Sequence, residues 1–562
     1  MRNPARTLYP KSYDTTRRLG FNDPGRKKTR RAFFMGLGSN FLYLQLLFLG
    51  LFCYVFGALF QQNGHTHNLG VVFVDYDGGA IGNAVRGAYA SLESDTFITL
   101  VERPPSDFPT PADVADAVCK TRFWAGFYVA EGASDRLHDA LQPDNTAASL
   151  AYDGTRVMSY VWNEALYPTA IDSAVSANIQ LLASAARVAY STGNGTGGVS
   201  SVSGPAALSV FANPWQLQSL DIQPTSQGSR AIYNTIVIIL ILIQEFFYLG
   251  TINGLYAQFK LYARIDPYRI IAVRVVASLA YTFIGSLCVI GTIFAFRANW
   301  DIDGSQLVLS WIALWLFAHV NFLTLDVFTI WVPPAFVPMA LISWIILNIT
   351  STLLPFDLSP AFYRLGYAMP AHEVYQVLID VWSRGCNPQL HYALPVLFAW
   401  EVASLALSTL GVFRRCHFAT IGAEREAHEF KERLDAAVAF QLALERKVEK
   451  KKSDRAHRQG STATAVTNPE SINAVGTADR PATEGNDEPE EKKQPETEGG
   501  QDAASSTTSD EESEVHDELA EIIHRINTRQ QRETERTGGA ANFGPSFNLL
   551  FSHGDGDDDG AQ

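Results

Sequence analysis

The sequence predicts a polytopic α-helical membrane protein with six transmembrane helices, one alone and then five together, and an extracytoplasmic α/β domain inserted after the first. Three observations lead to this. Six largely apolar segments, 41–60, 231–250, 275–296, 307–332, 335–354 and 392–413, each approach or reach the length needed to cross a hydrocarbon layer of roughly 30 Å. The first is separated from the others by residues 61–230, whose mixed composition suits a folded domain. Lys and Arg fall in the connections that this arrangement leaves in the cytosol.

Bulk composition hides that organisation. Over 562 residues the net charge is −14 and the mean hydropathy is near zero, each an average of an apolar middle and a polar tail. Residues 1–40 carry ten Lys and Arg against two Asp, whereas the chain after 453 is rich in Glu and Asp. A basic start beside an apolar span points to a membrane. No basic stretch is interleaved with aromatics, so nucleic acid is not an expected partner. The five cysteines form no CxxC and no Cys/His cluster, which argues against a structural zinc. No metal site and no cofactor are expected.

Taken in order, residues 1–40 read as a mobile cytosolic arm broken by Pro4, Pro10 and Pro24. Segment 41–60 begins too late and runs too long for a cleaved signal peptide, so it is read as a retained anchor, with residues 61–230 outside the cell. The loop with Lys260, Arg264, Arg269 and Arg274 then lies in the cytosol, Asp301 and Asp303 outside, the loop 355–391 outside, and Arg414 and Arg415 inside. Both termini are cytosolic on this reading. The loop 355–391 reads as a re-entrant or interfacial helix pair, with Tyr363, Tyr367, Tyr375 and Trp382 at headgroup level. It could be an external gate or a simple interfacial cap.

In the domain 61–230, an apolar run ends at Asp75 and meets Asp77-Gly78-Gly79, which predicts a strand entering a turn and then a helix over 80–92. A second strand is expected over 123–129, a helix over 133–141, a third strand over 149–152 and a helix over 165–190, an α/β pattern. Asp75, Asp77 and Asp153 have no EF-hand spacing and read as acids at strand ends and turns. Asn194-Gly195-Thr196 is a glycosylation sequon in a Gly/Ser/Thr loop, and Asn194 is the expected acceptor. Asn348-Ile349-Thr350 is a sequon too, out of an enzyme's reach in a span.

Three stretches carry a resemblance: VVFVDYDGG after the first span, FWAGFYVAEGASDRL in the middle of the domain, and FYRLGYAMPAHEVYQVLIDVWSRG before the last span. With the one-plus-five arrangement they resemble the fungal nitrosoguanidine-resistance membrane protein family (DUF3533). More distantly the chain is similar to phage-infection-protein type members of the ABC-2 permease superfamily. The resemblance covers about 31–415. It implies a fungal membrane protein linked to resistance to alkylating and other toxic compounds, with plasma-membrane lipid organisation as a further role, and it brings no catalytic residues with it.

The chain has no GxxxxGK[ST] loop to cradle phosphates, so ATP hydrolysis would need a separate ATPase subunit. Ionisable residues inside spans are costly and mark candidate proton or cation sites; the three acids among them are Glu245, Asp326 and Glu401. His319 shares a helical face with Asp326, and interhelical hydrogen bonding is the plainer role for all of them. Cys119 and Cys386 are the two cysteines placed outside, where a bridge can form; two unpaired buried thiols are the alternative. Cys53 and Cys288 read as packing residues.

Residues 416–452 read as a cytosolic helix with an apolar stripe at Phe430, Leu434, Val438, Leu442 and Val448. Residues 453–562 read as a disordered acidic tail, in which Ser509 before three acids resembles a phosphorylation site. The function expected is export or redistribution of hydrophobic compounds or lipids; the alternative is a non-transporting scaffold or sensor with a ligand-binding outer domain. Expected partners are membrane lipids and hydrophobic small molecules, with a second copy of the chain as a further candidate. With no G-x-S-x-G elbow and no HExxH, an enzyme is not expected.

Overall fold

The structure is a computed structural model that describes residues 27–143, 145–193, 204–225, 235–297 and 300–462. The expected sites at Asn194 and Ser509 lie outside the described residues, as do the arm before 27 and the tail after 462.

The α/β region is built on one five-stranded sheet: β1 (Gly70–Asp75), β2 (Thr99–Arg103), β3 (Ala125–Val129), β4 (Met158–Trp162) and β5 (Gln218–Asp221). The strand order is β2-β1-β3-β4-β5; β1 is parallel to β2 and to β3, β4 is antiparallel to β3, and β5 is parallel to β4. β1 and β3 are central and covered on both faces, which is why they read as unbroken apolar runs rather than as an alternation. Val71, Phe73, Phe127 and Val129 point to one face, where helices α2 (Ala80–Leu92) and α7 (Ala177–Gly193) pack along each other. Val72, Val74, Tyr128 and Val161 meet Val114 and Val118 of α3 (Pro111–Cys119) on the other. That approach is close: a Cβ on Gly126 would lie 2.2 Å from Val114 Cγ1, so only glycine fits there.

The third predicted strand is a correction. Residues Thr146–Ala151 form a short helix, α5, following α4 (Ala133–Leu141), and the strand comes later, at β4. Asn145 decides it: its side chain accepts from Ala148 N, as an N-cap does, and Ser149 turns inward to donate to Ala140 O at 2.5 Å. α6 (Pro168–Ile171) and α8 (Pro205–Ala212) complete the region.

Five helices are long and apolar enough to cross a membrane: α1 (Lys27–Ala58), α9 (Val237–Gln258), α11 (Pro267–Ala295), α12 (Gly304–Trp331) and the first part of α15 (Leu390–Thr462). This is compatible with a multi-pass membrane protein. The helix in the remaining predicted span, α13 (Val337–Thr350), has 14 residues, about 21 Å at the helical rise and short of a full crossing. Sequence capping sets the starts: Asp266 accepts from Tyr268 N and Arg269 N before Pro267 opens α11, and Asp303 with Gln306 forms a capping box on α12. α10 (Leu261–Arg264) is the single turn between α9 and α11. α1 begins well inside the predicted arm, and α15 runs past the predicted boundary at 416. Residues through Cys416 belong to one compact unit and those from His417 to a second. In the second, Phe430, Leu434, Val438, Leu442 and Val448 are exposed.

The segment before α15 differs from an interfacial helix pair. Its helix α14 (Pro370–Trp382) is core: Tyr375 is 0% exposed and Trp382 2%. Amphipathic rings that bury completely need partners for their polar ends, and both have them. Tyr375 Oη donates to Ala165 O and accepts from Tyr167 N, each at 3.1 Å, while Trp382 Nε1 donates to Ser310 Oγ of α12 at 3.1 Å. Gln306 closes the contact by donating to the carbonyls of Val381 and Trp382. α14 therefore joins the sheet region to the helices. Cys119, at the end of α3, and Cys386, just past α14, are joined in a disulfide that ties the same two regions. Cys53 and Cys288 are exposed on their helices rather than packed in the core, which corrects the packing role expected of them.

Candidate functional site

Several buried polar groups of the helices line a seam between α12 and α15. An apolar helix carries a polar stripe there because residues three and four apart share a face, and α15 presents Glu401, Ser404, Ser408 and Arg415 in that order. α12 answers with His319, Thr324, Asp326 and Thr329. His319 Nδ1 meets Glu401 Oε1 at 2.6 Å, Thr324 Oγ1 meets Ser404 Oγ at 3.0 Å, Ser408 Oγ donates to Asp326 Oδ2 at 2.7 Å, and Arg415 Nη2 donates to Thr329 Oγ1 at 2.6 Å. Rising numbers on one helix meet rising numbers on the other, so the two run in the same direction.

At the Asp326 end every charge has a partner. Asp326 is fully buried and takes Arg274 Nη2 at 2.9 Å and Arg415 Nη1 at 3.1 Å on the same oxygen, with Ser408 on the other. The two guanidinium groups also share Asn253 Oδ1 and Tyr262 Oη. The expectation for Arg274 and Arg415 as loop charges is thus corrected: Arg274 lies inside α11, 4% exposed, drawn in because a buried carboxylate needs a counter-charge.

Near the middle of α12 the pairing is thinner. His319 is held by Glu401 on one ring nitrogen and by Ser278 Oγ at 3.1 Å on the other. The Glu401 side chain keeps 17% exposure, and its Oε2 has no partner among the described residues. Asn321 accepts from Trp344 Nε1 of α13 at 2.9 Å. Glu245, on α9, is 0% exposed, and neither of its carboxyl oxygens has a hydrogen-bond partner among the described residues. The structure so places all three predicted acids inside the bundle and gives each different company. It does not bring His319 and Asp326 into one site, although they share a helix face.

Two groupings outside the spans were missed by the sequence reading. Glu164 and Asp221 sit together at the end of the sheet, where Asp221 Oδ1 accepts from Glu164 N at 3.0 Å and Gln223 N at 3.1 Å, and Glu164 Oε2 accepts from Thr225 N at 2.7 Å. Burial, with the neighbouring Glu164 carboxyl adding to it, pushes the Asp221 carboxyl up to about 7. His372 Nδ1 meets Glu373 Oε1 at 2.9 Å in the first turn of α14, with His372 2% and Glu373 0% exposed. The acids weighed against calcium have local roles. Asp75 accepts from Asp77 N and Gly78 N and pairs with Arg86, Asp77 binds Ser134, and Asp153 accepts from Thr155 N.

A family model described as a protein of unknown function, DUF3533, matches residues 40–406, well over half of the chain. The chain belongs to this DUF3533 family. The match takes in α12, α14 and the seam up to Glu401, Ser404 and α15's entry, and it ends before Ser408 and Arg415. No solved structure matches this DUF3533 protein.

Proposed function

We propose that this DUF3533 protein exports or redistributes hydrophobic compounds or lipids at the plasma membrane, and thereby gives resistance to toxic or alkylating compounds. The observation that carries the reading is the seam between α12 and α15, a continuous line of buried ionisable and hydroxyl groups along helices long enough to cross a bilayer. Such groups are expensive in hydrocarbon and persist where they face a path or move charge. In this proposal the sheet region lies outside, both termini lie in the cytosol, and Glu245, Asp326 and Glu401 are the candidate proton or cation sites, of which Asp326 is already matched by Arg274 and Arg415. An ion gradient is the favoured energy source because the seam supplies titratable groups; a separate ATPase subunit is the alternative.

A second reading, a scaffold or sensor whose outer domain binds a ligand, draws on an open groove of about 320 Å³ on the sheet region, lined by Ala115, Tyr128, Val161, Leu220 and Asp221 among others. One experiment separates the two. Accumulation of a labelled hydrophobic toxicant is measured in cells lacking the gene, with and without the wild-type copy restored, before and after collapse of the proton gradient. Lower accumulation that needs both the protein and the gradient is expected. Equal accumulation in all cells while resistance still differs would discard export and favour the sensor.

A further inference from the structure

Glu245 stands out among the buried acids because nothing in the described structure offsets its charge. Both carboxyl oxygens lie out of contact with solvent and without a hydrogen-bond partner among the described residues. An ionised carboxylate in apolar surroundings carries a desolvation cost comparable with the stability of a whole domain, so the group is neutral in this conformation or is met by a partner in another. The surrounding packing is tight rather than frayed: Tyr248, one turn along α9, stacks on Tyr281 at 3.6 Å, and a Cβ on Gly285 would lie 2.5 Å from Gln244 Nε2.

Register places Glu245 at a particular depth. Tyr248 of α9 meets Phe322 of α12, ring centroids 5.3 Å apart, and further along Asn253 of α9 shares Arg274 with Asp326 of α12. The two helices therefore run the same way. Three residues before Tyr248 is Glu245, and three residues before Phe322 is His319. The lone acid and the His319–Glu401 pair occupy one layer of the bundle. Titratable or charged groups on the elements packed around α9 are Tyr268, Arg269, Arg274, Tyr281 and Cys288 on α11, His319 and Asp326 on α12, Tyr262 and Arg264 on α10, and, from α15, Arg415 on Asn253 and Cys416 beside Tyr256; α13 carries none.

We infer that Glu245 is the acid that carries the proton in the proposed transport cycle, neutral when buried as seen here and paired with the His319–Glu401 layer when it ionises. This rests on the export reading. Asp326, fixed between two guanidinium groups, is then the structural acid and not a carrier. The step is a proton transfer alone: an O–H bond forms when the Glu245 carboxylate takes H⁺ from hydronium on one side of the membrane, and it breaks when the proton passes to water on the other.

The test uses the full-length protein in lipid vesicles at neutral pH, with two readouts. In infrared spectra, the wild type minus Glu245→Gln should retain the carbonyl band of a protonated carboxylic acid, and the wild type minus Asp326→Asn should not. A Glu245→Gln difference spectrum without that band overturns the assignment. In the same vesicles, movement of a hydrophobic fluorescent dye driven by a pH gradient should fall in Glu245→Gln to the rate of the gradient-free control. Glu245→Asp, which keeps the carboxyl, should recover part of the driven rate; driven movement in Glu245→Gln equal to wild type overturns the carrier role. A wild type that shows the band yet drives no dye discards the export reading and the carrier role with it, so the two failures are told apart.

Discussion

Asp326 and Glu245 lie in the same helix bundle and are equally buried, but one has two cations and a hydroxyl on its oxygens and the other has no hydrogen-bond partner among the described residues. Burial alone therefore says little about what an acid does. A carboxylate whose charge is matched on the spot holds elements together, here α11, α12 and α15 at a single point. One that is unmatched has to change its charge or its surroundings to be tolerated. Glu401 stands between the two, matched by His319 on one oxygen and, among the described residues, by nothing on the other.

The largest effect is expected where the matching is most complete. Asp326→Ala leaves two guanidinium groups, one of them 4% exposed, facing each other without a counter-charge. Removing one partner of a buried ion pair costs about 3–5 kcal/mol. Thermal unfolding in detergent should show a marked drop in midpoint, larger than for Asp326→Asn, which keeps hydrogen-bonding atoms in place. An Asp326→Ala protein as stable as wild type would erase the distinction on which the comparison rests.

A smaller, pH-dependent effect belongs to the acid pair outside the spans. Burial raises the Asp221 carboxyl to about 7, against an unfolded value near 4. Between those values the folded chain binds more protons than the unfolded one, so stability falls as pH rises through the window and is level above it. This is the opposite slope to that of a carboxylate held by a cation. Unfolding midpoints measured from about pH 5 to about pH 8 should decline for wild type. For Asp221→Asn, which keeps the oxygen that accepts from Glu164 N and Gln223 N, they should stay flatter. An unchanged slope would mean that Asp221 titrates as an ordinary surface acid.

How far these environments could be read from sequence follows from what periodicity carries. Hydropathy places five long helices because a bilayer-length apolar run has few other uses, and acids inside such runs are conspicuous. The partners were not legible. Arg274 sits at the edge of an apolar run and looks like a flanking charge; only the packing of α11 on α12 puts it on Asp326. Tyr375 and Trp382 carry the composition of an interface helix, and what makes α14 core is the sheet region on one side and α12 on the other, both remote in sequence. In the sheet region, β1 and β3 were visible as apolar runs, whereas Ser149 and its neighbours read as strand until Asn145 capped them into a helix. Short-range capping competes with propensity over six residues and wins, which a pattern of apolar residues cannot register.

The smallest effect on stability is expected at Glu245 itself. Replacing it with Met, of similar volume and no charge, removes a buried polar group that has no described partner, so the change should be within about 1.5 kcal/mol of wild type or stabilising. The same replacement at Asp326 should not be tolerated. If Glu245→Met instead unfolds the protein, the carboxyl is satisfied in the folded state by something the described residues do not supply, and it would join Asp326 as a structural acid. If it leaves stability intact and abolishes gradient-driven dye movement, the cost of keeping a lone acid in the bundle has no structural return, and function is what retains it.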